Sequence, residues 1–239
     1  MTTIKTGTTK LIITPLLLLR VVLTFILLPL ALLLVAGRLD WWQAWLYITV
    51  SIVLSVISRI MMARKNPDLV AERASFIKAE GVKSWDRTIV PMIALYGPLA
   101  LYIIAGLDKR FGWSPPLPVI AEMIGLVVIL LSYLLGTWAM ASNRFFSSVV
   151  RIQVDRGHQV VRTGPYRFIR HPAYTGGILA WLATPFLLGT LWALLPGVLI
   201  SAGIAVRTAL EDRTLQAELS GYQEYSQQTR FRLVPGVWQ

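Results

Sequence analysis

Residues 172–206 read PAYTGGILAWLATPFLLGTLWALLPGVLISAGIAV, about 35 positions without one Asp, Glu, Lys or Arg. A helix rises 1.5 Å per residue, so about 20 apolar residues cross the roughly 30 Å hydrocarbon core of a bilayer. This run is too long for one crossing, and it carries its own turn signal, Leu188-Gly189-Thr190-Leu191, between Pro185 and Pro196. It reads as a tight helical hairpin, two membrane segments back to back. Four more apolar runs precede it: Leu11–Gly37, Trp41–Ala63, Thr88–Leu107 and Leu117–Ala141. The expectation is an all-α, polytopic integral membrane helical bundle of about six transmembrane segments, the last two forming the hairpin. The first run is too long for a signal-peptide core and reads as a retained anchor.

Composition agrees. The chain is 55% apolar and only 15% charged, where a soluble domain carries about a quarter charged residues. The charges also sort by side. Lys5 and Lys10, seven cations from Arg59 to Arg87, six from Arg144 to Arg170 and four from Arg207 to Arg232 place nineteen of the 23 on one side. Arg38, Lys109 and Arg110 fall on the other, and Arg20 lies within segment one. Cytoplasmic loops carry the excess of Lys and Arg, so both termini are expected in the cytoplasm. The net charge of +11 then belongs to loops against anionic headgroups of membrane lipids. It forms no continuous stripe, so nucleic acid is not an expected partner. Trp41, Trp42, Trp45, Trp113, Trp181 and Trp192 are expected at or near the interfaces.

With no cysteine, the chain has no thiolate metal site, disulfide or cysteine nucleophile. Its two histidines, His158 and His171, cannot build a multi-histidine zinc or di-iron centre, and no metal is expected. The 64–87 loop alternates charge sign and reads as a short, solvated interfacial helix after Asn66-Pro67. The polar stretch 142–172 is too long for a simple connector, and the tail from Arg207 to Gln239 is polar and aromatic. Both lie on the basic side, where they are candidates to fold together over a site. The expected division is therefore residues 1–141, four membrane segments, and residues 142–239, which hold the loop, the hairpin and the tail.

Within that second part, Gly164-Pro165 signals a turn, and Pro172 suits the first helical position, where its missing N–H costs nothing. His171 is thereby placed at the N-cap of segment five, a helix end that favours an anionic group. Arg207 and Glu211, four residues apart, share a helix face and suit an ordinary ion pair as well as a binding role. Glu122, near the opposite end, is expected at the outer interface.

The string from Gly164 to Gly176, Gly-Pro-Tyr-Arg-x-x-Arg-His-Pro-x-Tyr-x-Gly, preceded by His158-Gln159-Val160-Val161, resembles the signature of isoprenylcysteine carboxyl methyltransferases and related phospholipid methyltransferases. Arg207 to Asp212 is similar to that family's Arg-x-x-x-Glu-Glu segment, with Asp212 in place of the second glutamate. Tyr222, Tyr225 and the stretch Arg230 to Pro235 resemble its C-terminal pattern. The likeness covers about residues 142–239. It implies S-adenosyl-L-methionine bound in a pocket at the cytoplasmic face, and the sequence carries no strand followed by Gly-x-Gly-x-x-Gly of the soluble kind. It further implies cofactor contacts at Arg151 (where related enzymes carry glutamine), His158, Gln159, Val160, Val161, Tyr166, His171, Pro172, Ala173, Tyr174 and Glu211. Arg207 is implied as the residue that holds the substrate, and Arg207 and Glu211 together as the catalytic pair. The activity implied is methyl transfer to a lipophilic, prenyl- or lipid-like acceptor entering from the bilayer.

Other readings stay open on sequence. A phospholipid N-methyltransferase is one. A nicotinamide-dependent reductase of the sterol-reductase kind, which carries a similar Arg-His-Pro-x-Tyr string, is another. A transporter or scaffold is disfavoured, since such a pathway needs a series of charges along the spans and the apolar runs hold few.

Overall fold

The structure, a computed structural model, describes residues 27–74 and 80–239. Most of the first apolar run, with Arg20, lies outside the described residues. What is described of that run is α1, Leu28–Ala36, which opens on Pro29 and stops at Gly37 in the left-handed conformation. Then follow α2, Trp42–Lys65, and the short α3, Pro67–Ala74. Next comes α4, Ser84–Pro91, which runs through a π-helical turn, Met92–Tyr96, into α5, Gly97–Phe111. After α6, Val119–Ser142, the chain has no regular structure except single 3₁₀ turns at Val154–Arg156 and Gly164–Arg167. The hairpin follows as α7, Pro172–Leu188, and α8, Leu194–Glu218, and the chain closes with α9, Tyr222–Gln228. The described residues are helical and contain no strand.

Among the described residues, four helices are long and apolar enough to cross a membrane: Trp42–Lys65, Ser84–Phe111, Val119–Ser142 and Leu191–Glu218. The first arm of the hairpin has 17 residues, about 25 Å of helix, and turns back where the sequence signalled it. Gly189 takes φ 67°, and Thr190 N–H closes the turn on the Pro185 carbonyl at 2.9 Å. Ile120, Ile124, Val127, Leu131 and Leu134 of α6 stand exposed, an apolar face suited to lipid rather than water. This is an integral membrane bundle.

Between lipid-facing helices there is little hydrophobic drive for association, so close backbone approach through small residues takes its place. The α6–α7 pair shows how. A Cβ on Gly176 would stand 2.7 Å from the Ser132 carbonyl oxygen, and one on Gly125 would stand 2.8 Å from the Leu187 nitrogen. The hairpin arms use the same device, since a Cβ on Gly197 would meet the Trp181 carbonyl at 2.9 Å. Pro98 explains the π turn: a proline in a continuing helix removes one N–H and crowds the carbonyl four residues earlier, here Ala94 within Met92–Tyr96, and the helix relaxes by widening.

At the bundle end opposite the 142–171 loop, Asp108 (1% exposed) gathers three donors. Ser114 N–H and hydroxyl donate at 2.7 and 2.6 Å, and Trp192 N–H donates at 3.2 Å. Trp113 and Trp192 pack edge to face there, as interfacial aromatics do. Glu122, in the first turn of α6 beside the Gly189 turn at that same bundle end, is buried, and its carboxylate accepts from Gln43 Nε2 at 2.9 Å. One sequence expectation changes. Trp181 sits along α7 against the core, because the hairpin arm carries it past the interface.

Because α6 and α7 touch through bare backbone, Gly176→Val should separate them. The expected cost is about 1–3 kcal/mol of overpacking, read as a lower thermal midpoint in detergent. Gly136→Ala, where a Cβ would meet nothing within 4 Å, should leave that midpoint in place.

Candidate functional site

A cavity of about 380 Å³ opens at the bundle end that carries the 142–171 loop, a volume typical of small-molecule sites. It draws on both sides of the boundary expected at residue 142. Arg73, Val90, Ile93 and Ala94 come from α3, α4 and the π turn; the remaining lining runs from Asn143 to Tyr225.

The loop is shaped by local hydrogen bonds. Asn143 Oδ1 accepts the Phe145 N–H at 2.8 Å, and the buried Gln153 donates to the Phe145 carbonyl at 2.7 Å. Gln153 N–H donates to His158 Nδ1 at 3.3 Å, while its carbonyl accepts the His158 N–H at 3.1 Å. The His158 ring lies 4.6 Å from Phe145, and burial, with Arg151 and Arg156 nearby, pulls its pKa from 6.5 down to about 4. The imidazole is therefore neutral at physiological pH. Residues 159–161 follow with no backbone hydrogen bond among the described residues, which leaves a polar edge on the cavity wall.

Arg151 also lines the cavity, yet its guanidinium is committed. Nε and Nη2 hold Glu72 at 3.0 and 2.9 Å, and Nη1 holds Asp155 at 2.8 Å. The bonds hold its pKa above the ordinary arginine value and keep both carboxyls below theirs. Tyr166 is fixed from behind, its carbonyl accepting the Tyr225 hydroxyl at 2.6 Å. Gly164, at φ 60°, allows the turn to pass against Ser142.

The next element begins as the sequence implied, with His171 as N-cap and Pro172 at the first turn of α7. His171, Ala173 and Tyr174 line the cavity; Pro172 is buried and sets the turn without lining it. Behind them lies Asp212, fully buried on α8. Tyr222 hydroxyl donates to it at 2.8 Å, Arg232 Nε at 2.9 Å and Gln216 Nε2 at 3.0 Å. His171 Nε2 lies at 3.3 Å, and Arg170 Nε at 3.1 Å makes an ion-pair contact without hydrogen-bond alignment. The tail closes over this hub: Arg170 and His171 N–H donate to the Phe231 and Arg232 carbonyls, each at 2.9 Å. A shorter side chain than glutamate at 212 thus serves as an anchor for five neighbours.

Arg207 and Glu211 both line the cavity but are not an ion pair. Glu211 accepts the Tyr174 hydroxyl, its one hydrogen bond among the described residues. Arg207 turns away to Asp86 of α4, which is fully buried. Nε and Nη2 bond the two carboxylate oxygens at 2.7 and 3.1 Å, and Nη2 also donates to the Ser148 carbonyl at 3.2 Å. The guanidinium carbon lies 5.3 Å from the Tyr174 ring centre. Asp86 further accepts the Val150 N–H at 2.7 Å, so one carboxylate fixes both the arginine and the loop. Asp86, Glu72 and Arg73 were not legible as site residues. Their loop reads as solvated from its alternating charge, and nothing local marks which charge turns inward.

The neutral His158 carries a pH consequence. Between about pH 6.5 and 4 the unfolded chain takes up a proton that the folded chain refuses, so stability falls as pH drops through that window and is unaffected above it. Glu72 and Asp155, held low by Arg151, add their own loss only at more acid pH. Thermal midpoints measured from pH 7 to pH 5 should decline in the native chain, and His158→Gln should flatten that decline.

Two rice proteins, each named a probable protein-S-isoprenylcysteine O-methyltransferase, are similar to this chain: one from Oryza sativa subsp. indica, one from Oryza sativa subsp. japonica. Each is 30% identical over 66 residues, 27% of this chain and 35% of the relative. The matched stretch thus spans about a third of the length of these relatives. Residues 123–217, from α6 through the cavity loop to the end of the hairpin, match the Isoprenylcysteine carboxyl methyltransferase (ICMT) family, the family that the string from Gly164 to Gly176 resembles.

Proposed function

We propose that this chain is an integral membrane methyltransferase that uses S-adenosyl-L-methionine to methylate a lipophilic acceptor, in the manner of isoprenylcysteine carboxyl O-methyltransferases. The observation that carries this reading is the placing of Glu211 and Arg207 on one cavity, facing opposite neighbours, within the residues that match the family.

The cavity suits the cofactor. Glu211 is a carboxylate with a single neutral hydrogen-bond partner, so it retains capacity for an ammonium group or ribose hydroxyls. The unpaired backbone edge of residues 159–161 offers donors and acceptors to a polar ring or carboxylate, and His158, Val160 and Tyr166 supply apolar wall. His171, Ala173 and Tyr174 contribute the first turn of α7, where the Ala173 N–H has no backbone acceptor among the described residues and favours negative charge. Arg151, bound on both sides by carboxylates, serves by shaping the loop, and Pro172 by setting the helix start. S-adenosyl-L-methionine supplies an electrophilic methyl group on a sulfonium.

The chain's own work is then orientation and exclusion of water, which can lower a barrier by about 7–11 kcal/mol without an acid or base. Arg207, gripped by Asp86, is held at a fixed angle beside Tyr174 to align the acceptor. Val90 and Ile93 give the cavity an apolar lining suited to a lipophilic acceptor. Six spans, with both termini and the cavity in the cytoplasm, complete the arrangement, supported by the nineteen-to-three division of loop cations.

Two measurements test this reading. Calorimetry on the purified protein should show binding of S-adenosylhomocysteine without added metal. Glu211→Ala should weaken it by about 1.5–3 kcal/mol, the worth of a charge-assisted contact. Binding of NADPH with no response to S-adenosylhomocysteine would replace the methyltransferase by a reductase. For orientation, a single cysteine at position 148, clean because the chain has none, should react with an impermeant reagent only after cells are opened. Labelling of intact cells would reverse the topology.

A further inference from the structure

The charges on the cavity wall do not cancel where the family resemblance would lead one to look. Arg207 is neutralised: Asp86, fully buried, takes two of its nitrogens. Arg151 is neutralised by Glu72 and Asp155. Arg73 is different. It lines the cavity from α3, outside the stretch that matches the family, and among the described residues it forms no ion pair. Its one hydrogen bond is a 3.3 Å donation to the Phe146 carbonyl, and its guanidinium carbon lies 5.5 Å from the Phe146 ring centre. Glu72, next to it in the chain, is held by Arg151 through both oxygens. Glu211, which also lines the cavity and has only a tyrosine hydroxyl as hydrogen-bond partner among the described residues, is the matching uncompensated anion.

A partly buried cation without a counter-charge is costly unless something negative completes it. That cost is visible in Arg73 itself, whose pKa is pushed down to about 10 by burial, with Arg59 and Arg207 adding repulsion. The cavity wall therefore carries two uncompensated charges, negative at Glu211 and positive at Arg73, beside the neutral Asp86–Arg207 pair and the Tyr174 ring. We infer that Arg73 is the residue that meets the negative charge of the methyl acceptor, and that it selects an anionic lipophile over a neutral or cationic one. Arg207 then sets direction through its remaining nitrogen, Nη1, while Arg73 supplies the net charge. The inference rests on the methyltransferase reading for the identity of the ligand at Glu211.

The test compares a lipophilic carboxylate, farnesylthioacetate, with its uncharged amide, each titrated into detergent-solubilised protein saturated with S-adenosylhomocysteine. The native chain should prefer the acid. Arg73→Gln should lose that preference by about tenfold or more, the size of one charge-assisted hydrogen bond, and leave the amide and S-adenosylhomocysteine affinities unchanged. Arg73→Lys should keep part of the preference. Arg73→Glu should reverse it in favour of the corresponding amine, a gain that damage to the fold cannot produce. Equal affinity of the native chain for acid and amide, or an acid preference that survives Arg73→Gln, would overturn the inference while S-adenosylhomocysteine binding upheld the methyltransferase reading. Absence of S-adenosylhomocysteine binding would instead remove that reading, and the inference with it.

Discussion

Asp86 accepts three hydrogen bonds at the base of the cavity, two from Arg207 and one from the Val150 amide, and has no contact with solvent. Breaking such a pair from either side strands a buried charge, which is strongly destabilising, so each partner constrains the other. The constraint reaches far because the partners are 121 positions apart and belong to different helices. Through them the start of α4, the loop at Ser148–Val150 and the second hairpin arm become one rigid wall. Lys83 N–H, which donates to the Val150 carbonyl at 3.1 Å, strengthens the same junction. The site's geometry is thus set by a salt bridge outside the motif that announces the site.

A second buried carboxylate, Asp212, does the corresponding work on the far wall. It binds the chain before α7, through Arg170 and His171, to the segment after α8, through Tyr222 and Arg232. Between these two anchors the helices are held by steric fit, with glycine at the crossings of α6 with α7 and of α7 with α8. Polar anchoring at the cavity and bare-backbone contact in the lipid region divide the molecule. The first fixes orientation where chemistry requires it, and the second replaces a hydrophobic drive that lipid does not provide.

The sequence made the helical bundle legible because length and apolarity alone define a span, and Gly189 marked the hairpin turn without any tertiary information. The His158–Val161 and His171–Tyr174 stretches were legible because their residues are ordered along one short segment that folds locally. Arg207 was legible as a site residue but not in its partnership: Glu211 is its neighbour by helical period, and Asp86 wins through a long-range contact that no spacing reveals. The same holds for Arg73. Its loop has mixed charges in roughly equal number, and which of them turns inward depends on Leu69, fully buried one turn earlier, docking α3 onto the bundle. The burial of Glu122 was hidden for the same reason, since its partner Gln43 is supplied by another helix.

The tail that lies across Arg170 and His171 bears on how the protein is made. Chain emerges from the ribosome in order, and residues 143–171 are synthesised before either hairpin arm has entered the bilayer. Their backbone amides at 170 and 171 find acceptors only at Phe231 and Arg232, and Thr175 finds the Leu233 carbonyl. The cavity loop must therefore wait, uncovered, through the insertion of two membrane helices. Asp212 enters with the second of them and collects Tyr222 and Arg232 only afterwards. Maturation of the pocket is in this sense a late event in biogenesis, coupled to completed insertion of the hairpin. A chain stalled or misthreaded at that stage presents an open, strongly basic loop to the membrane surface and whatever quality control patrols it.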